Sequence, residues 1–284
     1  MGPEMKFNHL DAELQAKDRW ASRRQRLVEF LREHGLSGLL AKMREVGLRG
    51  TIAFIVRQGR YQICSLLGKR WDRKYGVDTS GQIDLDNVDV IGPNKASGYA
   101  SVSTSPRAFA YLSQFFPANW KDFTFVDIGC GKGRVVMLAA QFGFDRVQGI
   151  EFAPLLCRVA DQNLVRFSGR RPAEWAIINV DATTVDLPSG NPLLIYCFNP
   201  FTVDIWERFI PALVRANELN RRPMRLVISG SLPETIRAAA AVILRSQRFC
   251  ERAHGVTPFF MDAYAPYTYW IFDSIEATAA EIKP

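Results

Sequence analysis

Residues Phe125-Val126-Asp127-Ile128-Gly129-Cys130-Gly131-Lys132-Gly133-Arg134 decide how this 284-residue chain folds. An apolar run at 123–128 enters a turn with three alternating glycines, and an apolar helical pattern follows over 134–142. Strand, glycine turn and helix in that order bring a ligand against the backbone at the carboxyl end of a strand. The spacing excludes two common nucleotide binders. A dinucleotide fingerprint needs G-x-G-x-x-G, and here the glycines fall at 129, 131 and 133. A P-loop needs Gly-Lys followed by Ser or Thr, and Lys132 is followed by Gly133. Asp127, two residues before the first glycine, would repel a pyrophosphate and suits a cationic or hydrogen-bond-donating ligand. An ammonium or a sulfonium meets that description.

Outward from this turn, apolar runs alternate with helical patterns. Strands are expected at 147–150, 175–180, 193–198 and 226–230, with helices near 106–116, 154–167, 203–216 and 233–242. Ser105-Pro106 supplies a cap and a first-turn proline for the first of these helices. Such alternation predicts an α/β fold with a doubly wound, mostly parallel sheet covered on both faces. The end differs: 245–251 and 267–272 read as an antiparallel pair.

Before residue 99 the pattern is helical and basic. Helices are expected at 9–33, 36–46 and 51–68, with a strand as the alternative for 51–68, followed by a polar, Gly/Asp-rich stretch at 71–94 that reads as a linker or ordered loop. The domain plan is a basic helical extension (1–75), a linker (76–98), a ligand-binding domain (99–276) and a tail (277–284). Residues 1–75 hold 16 Lys/Arg and 8 Asp/Glu, so the whole excess of positive charge in a chain of net charge +7 lies there. Five scattered cysteines without CxxC spacing and only three histidines argue against a disulfide framework or a metal site. Residues 1–30 are charged throughout, with no apolar signal segment, and no apolar run is long enough for a membrane span. The expectation is a soluble, cytoplasmic, metal-free protein.

Three further motifs fall at carboxyl ends of successive strands. Glu151, 24 residues after Asp127, stands where a carboxylate accepts hydrogen bonds from ribose hydroxyls in a doubly wound sheet. Asp181, in Asn179-Val180-Asp181-Ala182, is placed to accept from an adenine amino group. Asn199-Pro200-Phe201 ends the fourth strand. Together with Val126–Arg134 these segments resemble, in order, the motifs of class I S-adenosylmethionine-dependent methyltransferases. The resemblance covers about 97–275. Trp71-Asp72-Arg73-Lys74-Tyr75-Gly76-Val77-Asp78-Thr79, taken with the glycine turn and Asn199-Pro200-Phe201, more closely resembles a group of bacterial methyltransferase-like proteins.

The resemblance implies a seven-stranded, Rossmann-like sheet and roles for single residues. Asp127 would orient the amino group of the methionine moiety, and Gly129, Gly131 and Gly133 would line the turn beneath the cofactor. Glu151 would hold the ribose, Phe152 would pack on the adenine, and Asp181 with Ala182 would contact its edge. Tyr99 and 103–105 would cover the cofactor. Asn199, Pro200 and Phe201 would form the catalytic motif of amino-group methyltransferases. There a side-chain oxygen and a proline carbonyl accept from the target amine, and the aromatic ring packs on the substrate. This sequence has one proline where that motif has two, and an ordinary Asn-Pro turn leaving a strand is the alternative.

Other residues give less. Ser229-Gly230-Ser231 lacks the nucleophile-elbow pattern, Cys130 and Cys197 read as small space-fillers, and the lone His254 reads as solvated rather than catalytic. The aromatic group Phe259, Phe260, Tyr264, Tyr267, Tyr269 and Trp270 reads as part core and part pocket wall. The expected activity is direct in-line methyl transfer to a nitrogen of a protein or small amine, leaving S-adenosylhomocysteine. Four alternatives remain: methylation of RNA held by the basic extension, O-methylation of a small molecule, cofactor binding without catalysis, and basic helices resting on an anionic membrane.

Overall fold

The computed structural model describes residues 47, 49, 50, 52, 53, 56, 59–199, 201–261 and 266–275. The helices expected at 9–33 and 36–46, the tail at 277–284, Pro200 and Tyr264 lie outside the described residues. Residues 59–75 are helical and form α1. The helix expected at 51–68 thus runs on through the Trp71–Tyr75 segment.

Seven strands make one sheet: β3 (Thr124–Ile128), β4 (Arg146–Glu151), β5 (Glu174–Asn179), β6 (Leu193–Phe198), β7 (Met224–Gly230), β8 (Phe249–Val256) and β9 (Thr268–Ser274). Their order is β5-β4-β3-β6-β7-β9-β8. The first four pairings are parallel, and β9 is antiparallel to both β7 and β8. This is the doubly wound, Rossmann-like sheet that the alternation of strands and helices predicts. The helices are α2 (Pro106–Leu112), α3 (Arg134–Phe142), α4 (Pro154–Arg166), α5 (Val203–Leu219) and α6 (Pro233–Arg245). The strand expected from 245 begins later, because the alanine-rich run 238–241 and the apolar 242–244 carry α6 on to Arg245.

The central strands are apolar almost throughout because both sheet faces are covered. Every residue of β3 and β7 is buried, whereas the edge strands β5 and β8 keep exposed positions. Side-chain alternation along β3 separates two cores. Phe125 joins Phe109, Phe116, Phe144 and Tyr196 on one face. Val126 and Ile128 join Ile195, Trp206, Phe209, Leu226 and Ile243 on the other.

The chain leaves β3 toward β4 on one side, and β6 flanks β3 on the other. That reversal opens a crevice at the carboxyl ends of β3 and β6, where the glycine turn lies. Residues 76–98, expected as a linker, pack against the domain. Two short strands, β1 (Gln82–Ile83) and β2 (Ser101–Val102), pair antiparallel. Ile83, Leu85 and Val88 form a third apolar cluster with Ala153, Leu155, Leu156 and Val159 at α4.

Candidate cofactor and acceptor site

The glycine turn is built by close approaches. Gly133 caps α3 with φ +83°, and a Cβ there would stand 3.1 Å from Cβ of Ala160, so α3 and α4 meet almost backbone to backbone. Gly131 has φ +54°, and a Cβ on it would stand 2.6 Å from Oγ of Ser101. The main-chain N–H groups of Gly129 and Cys130 donate to the carbonyl of Ile150 at 2.8 and 3.0 Å, which pins the turn to β4.

Glu151, 4% exposed, ends β4 beside this turn. Its Oε2 accepts from the Gly131 N–H and its Oε1 from the Ala153 N–H, both at 2.9 Å. Burial raises its pKa, and those backbone donors, with that of Phe152, oppose the rise. Each oxygen retains a lone pair for a further donor. Asp127, 3% exposed, receives no hydrogen bond from the described residues. Burial first, and the negative charge of Glu151 second, push its pKa well above the ordinary 3.8.

Two cavities meet at these carboxylates. The larger, about 280 Å³, has Asp127, Gly129, Gly131, Tyr99, Asn199 and Ser231 in its wall. The smaller, about 50 Å³, has Ile128, Ile150, Asp181, Ala182 and Phe201. Gly129, Glu151 and Phe152 line both. The arrangement therefore suits a ligand that places a cationic or donor group at Asp127, hydrogen-bond donors at Glu151 and a mostly apolar part in the smaller cavity. Gly133 lines neither cavity and serves helix packing instead.

The side chain of Asp181 is already engaged by the protein. It accepts from Asn94 Nδ2 at 2.6 Å and from the Thr183 N–H at 2.9 Å, so it caps the short 3-10 turn at Ala182–Thr184. Asn94 belongs to a strap that crosses the strand ends. Thr202 N–H donates to the Ser97 carbonyl at 2.9 Å, Ile91 N–H donates to the Phe152 carbonyl at 2.8 Å, and Gly98 bridges Phe201.

Asn199 adopts φ +43°, a left-handed conformation that asparagine tolerates better than most residues. Its Nδ2 donates to Ser231 Oγ and its Oδ1 accepts the Ser231 N–H, both at 3.1 Å. The amide is thus held at the wall of the larger cavity. Phe201 turns away from it, buried between Trp206 and Phe209 at centroid distances of 4.8 and 5.6 Å. It lines the smaller cavity, whereas the sequence motif suggested the acceptor end. Tyr99 stands at the larger cavity with its hydroxyl 3.4 Å from Thr235 Oγ1.

The sequence alone assigned no site role to Ser101, Ser231, Asn94, Lys132 or Arg134. Ser231 had a legible signal, since it follows β7 at the same edge of the sheet as the other motifs. Lys132 and Arg134 are buried cations held by the Trp71–Thr79 segment. Arg134 pairs with Asp72 at 3.2 Å and donates to Thr79 Oγ1, and Lys132 reaches Asp78 and the Ser80 carbonyl. Asn163 completes the joint, donating from Nδ2 to the Asp78 and Lys132 carbonyls at 2.8 and 2.9 Å. Cys130 and Cys197 are buried free thiols whose pKa values burial pushes up. Among the described residues no group of His, Cys, Asp and Glu could hold a metal ion, and no helix is long and apolar enough to cross a membrane.

No protein-family model and no curated protein matches the chain. Solved structures do. Magnesium protoporphyrin IX methyltransferase from Synechocystis PCC 6803 with bound SAM is 19% identical, with a TM-score of 0.42 over 58% of this chain and 76% of that one. Ribosomal protein L11 methylase from Lactobacillus delbrueckii subsp. bulgaricus is 15% identical, at 0.43 over 59% and 77%. N-methyltransferase NodS from Bradyrhizobium japonicum WM9, in complex with S-adenosyl-L-homocysteine, is 14% identical, at 0.46 over 61% and 89%.

Proposed function

We propose that this chain is a methyltransferase that uses S-adenosylmethionine and methylates a nitrogen of a small amine or protein. The observation that carries the reading is the meeting of two cavities at Glu151, with the unpartnered carboxylate of Asp127 in the wall of the larger. Asp127 would take the ammonium of the methionine moiety, and Glu151 the ribose hydroxyls through its remaining lone pairs. Ile128, Ile150, Ala182 and Phe201 would enclose the adenine. Asp181, held by Asn94 and Thr183, would act chiefly by shaping that enclosure.

S-adenosylmethionine held there would supply an electrophilic methyl: a C–N bond would form from the acceptor's lone pair as the S–C bond broke with its electrons returning to sulfur, and the acceptor proton would pass to solvent. The protein's part is to position groups and exclude water. Asn199 is the positioning group for the acceptor. Its Oδ1 has one lone pair left after accepting from Ser231, and its Nδ2 is fixed by Ser231 Oγ.

Calorimetric titration with S-adenosylmethionine and S-adenosylhomocysteine tests the reading directly. Both are expected to bind, and Asp127→Ala and Glu151→Ala are each expected to weaken binding at least about tenfold. Unchanged affinity in both variants would overturn it. Tritiated-methyl transfer into a cell lysate, resolved into protein, RNA and small-molecule fractions, then assigns the acceptor class.

A further inference from the structure

A third cavity, about 480 Å³, lies between α1, β2 and the start of α2. It shares Val102, Ser103 and Arg134 with the larger cavity of the cofactor site, so the two are neighbours across a common wall. On α1 it is bounded by Tyr61, Cys64, Gly68 and Trp71, which recur at three- and four-residue intervals and so form one helix face. Its volume falls in the range of small-molecule pockets.

Among the described residues the charge around it has one sign. Arg70, Lys74, Arg107 and Arg134 line it, and none of its described lining residues is acidic. Arg134 is committed to Asp72, and the Lys74 ammonium lies 4.8 Å from the Tyr75 ring centroid, over its face. Arg70 and Arg107 have no ion pair with the described residues, and both are exposed at the cavity. Leu67, Pro106 and Met261 add apolar wall between the cations.

We infer that this cavity is the acceptor subsite, and that the acceptor is an anionic small molecule with an apolar body. Its carboxylate or phosphate sits with Arg70 and Arg107, and its nucleophilic end passes Val102 and Ser103 toward the cofactor cavity. The inference rests on the methyltransferase reading for the word acceptor, but the cavity's preference for anions can be measured separately.

The test uses 4-aminobenzoate and 4-aminophenyl phosphate as anionic probes, with neutral 4-aminobenzamide as their matched control. Binding to the full chain is measured by calorimetry, with S-adenosylhomocysteine present and absent. The anions are expected to bind at least about tenfold more tightly than the amide. The double variant Arg70→Glu/Arg107→Glu is expected to lose at least about tenfold of that affinity, and Arg70→Gln/Arg107→Gln part of it. Both variants should keep S-adenosylhomocysteine affinity within about twofold of wild type.

Equal binding of the amide, no binding of either anion, or unchanged affinity in the variants would overturn the inference. So would inorganic phosphate competing as well as the aromatic anions, which would mark a bare anion site. Lysate transfer in which the glutamate variant loses labelling of RNA or protein instead of small molecules would also overturn it. If S-adenosylhomocysteine fails to bind the wild type while the anions do, the cofactor reading falls and the anion preference stands.

Discussion

The main-chain N–H of Gly131 donates to Oε2 of Glu151 at 2.9 Å, joining the turn after β3 to the end of β4. A carboxylate that would hold a ribose therefore also shapes the turn that would underlie the methionine moiety. Glu151→Gln keeps the size but replaces one acceptor oxygen by a donor. The variant is expected to lose thermal stability as well as cofactor affinity, with a cost of about 1–3 kcal/mol for the mismatched buried donor. A melting curve of the ligand-free protein checks it; an unchanged midpoint would show that the turn does not depend on the carboxylate.

Asp127 makes the opposite prediction. Its folded-state pKa is raised, chiefly by burial and then by the charge of Glu151, so the folded state holds its proton to higher pH than the unfolded state does. Stability contributed by this group therefore falls as pH rises above the ordinary 3.8. Asp127→Asn is expected to melt higher than wild type at neutral pH by a few degrees, roughly what 1 kcal/mol produces. The gain should vanish at acid pH below that ordinary value. In the same variant, S-adenosylmethionine affinity should drop at least about tenfold. A lower melting point at neutral pH would contradict the account.

Asn199 and Gly230 form a linked pair. A Cβ on Gly230 would stand 1.9 Å from Asn199 Oδ1. Gly230→Ala should therefore displace the amide and cut turnover on the identified acceptor, with a smaller effect on S-adenosylhomocysteine affinity. Asn199→Gly retains the φ of +43° without strain, whereas Asn199→Ala bears a left-handed cost of about 1 kcal/mol. Both should lose turnover and the stability of the two hydrogen bonds to Ser231, and the alanine variant should be less stable than the glycine variant by that left-handed cost. Equal turnover in Asn199→Gly and wild type would remove the positioning role.

Arg225 and Asp273 are register partners across β7 and β9, and the guanidinium is almost fully buried. Nε and Nη2 donate to the two carboxylate oxygens at 2.6 and 2.8 Å, while Nη1 donates to the Phe115 carbonyl at 2.8 Å. Removing one partner leaves a buried charge unpaired. Asp273→Ala is expected to lose about 3–5 kcal/mol in chemical denaturation, far more than an exposed pair such as Arg237–Glu234 would. A loss below about 1 kcal/mol would mean that water reaches the guanidinium.

Asp72→Asn probes the joint between α1 and the glycine turn. The ion pair with Arg134 is buried on both sides, at 5% and 8% exposure. Limited proteolysis is expected to cut the 72–80 segment faster in the variant, because Thr79 and Ser80 also hang on that carboxylate through their N–H groups. Cleavage at the wild-type rate would show the segment to be held by its apolar contacts alone.

The alternation of strands and helices was legible because it is local. Burial on both faces makes β3, β6 and β7 mostly apolar runs, and the intervening helices carry their own apolar periods, with a first-turn proline opening α4 and α6. Asp127, Glu151 and Asn199 were legible as candidates because the carboxyl end of each strand follows from its position in the sequence. The roles expected for Gly133, Asp181 and Phe201 were less legible. Each depends on which distant atom fills the space beside it: Ala160, Asn94, and Trp206 with Phe209.

What sequence alone determined is the doubly wound sheet and the glycine turn with its leading carboxylate, because strand, turn and helix signals repeat at fixed short spacing. What only the tertiary structure decided is how the turn is enclosed. Gly131 meets Glu151 twenty residues on, Arg134 meets Asp72 sixty-two residues back, and Asn94 meets Asp181 across eighty-seven. Hydrogen-bond satisfaction is set by proximity in space, and no local period encodes which far donor arrives.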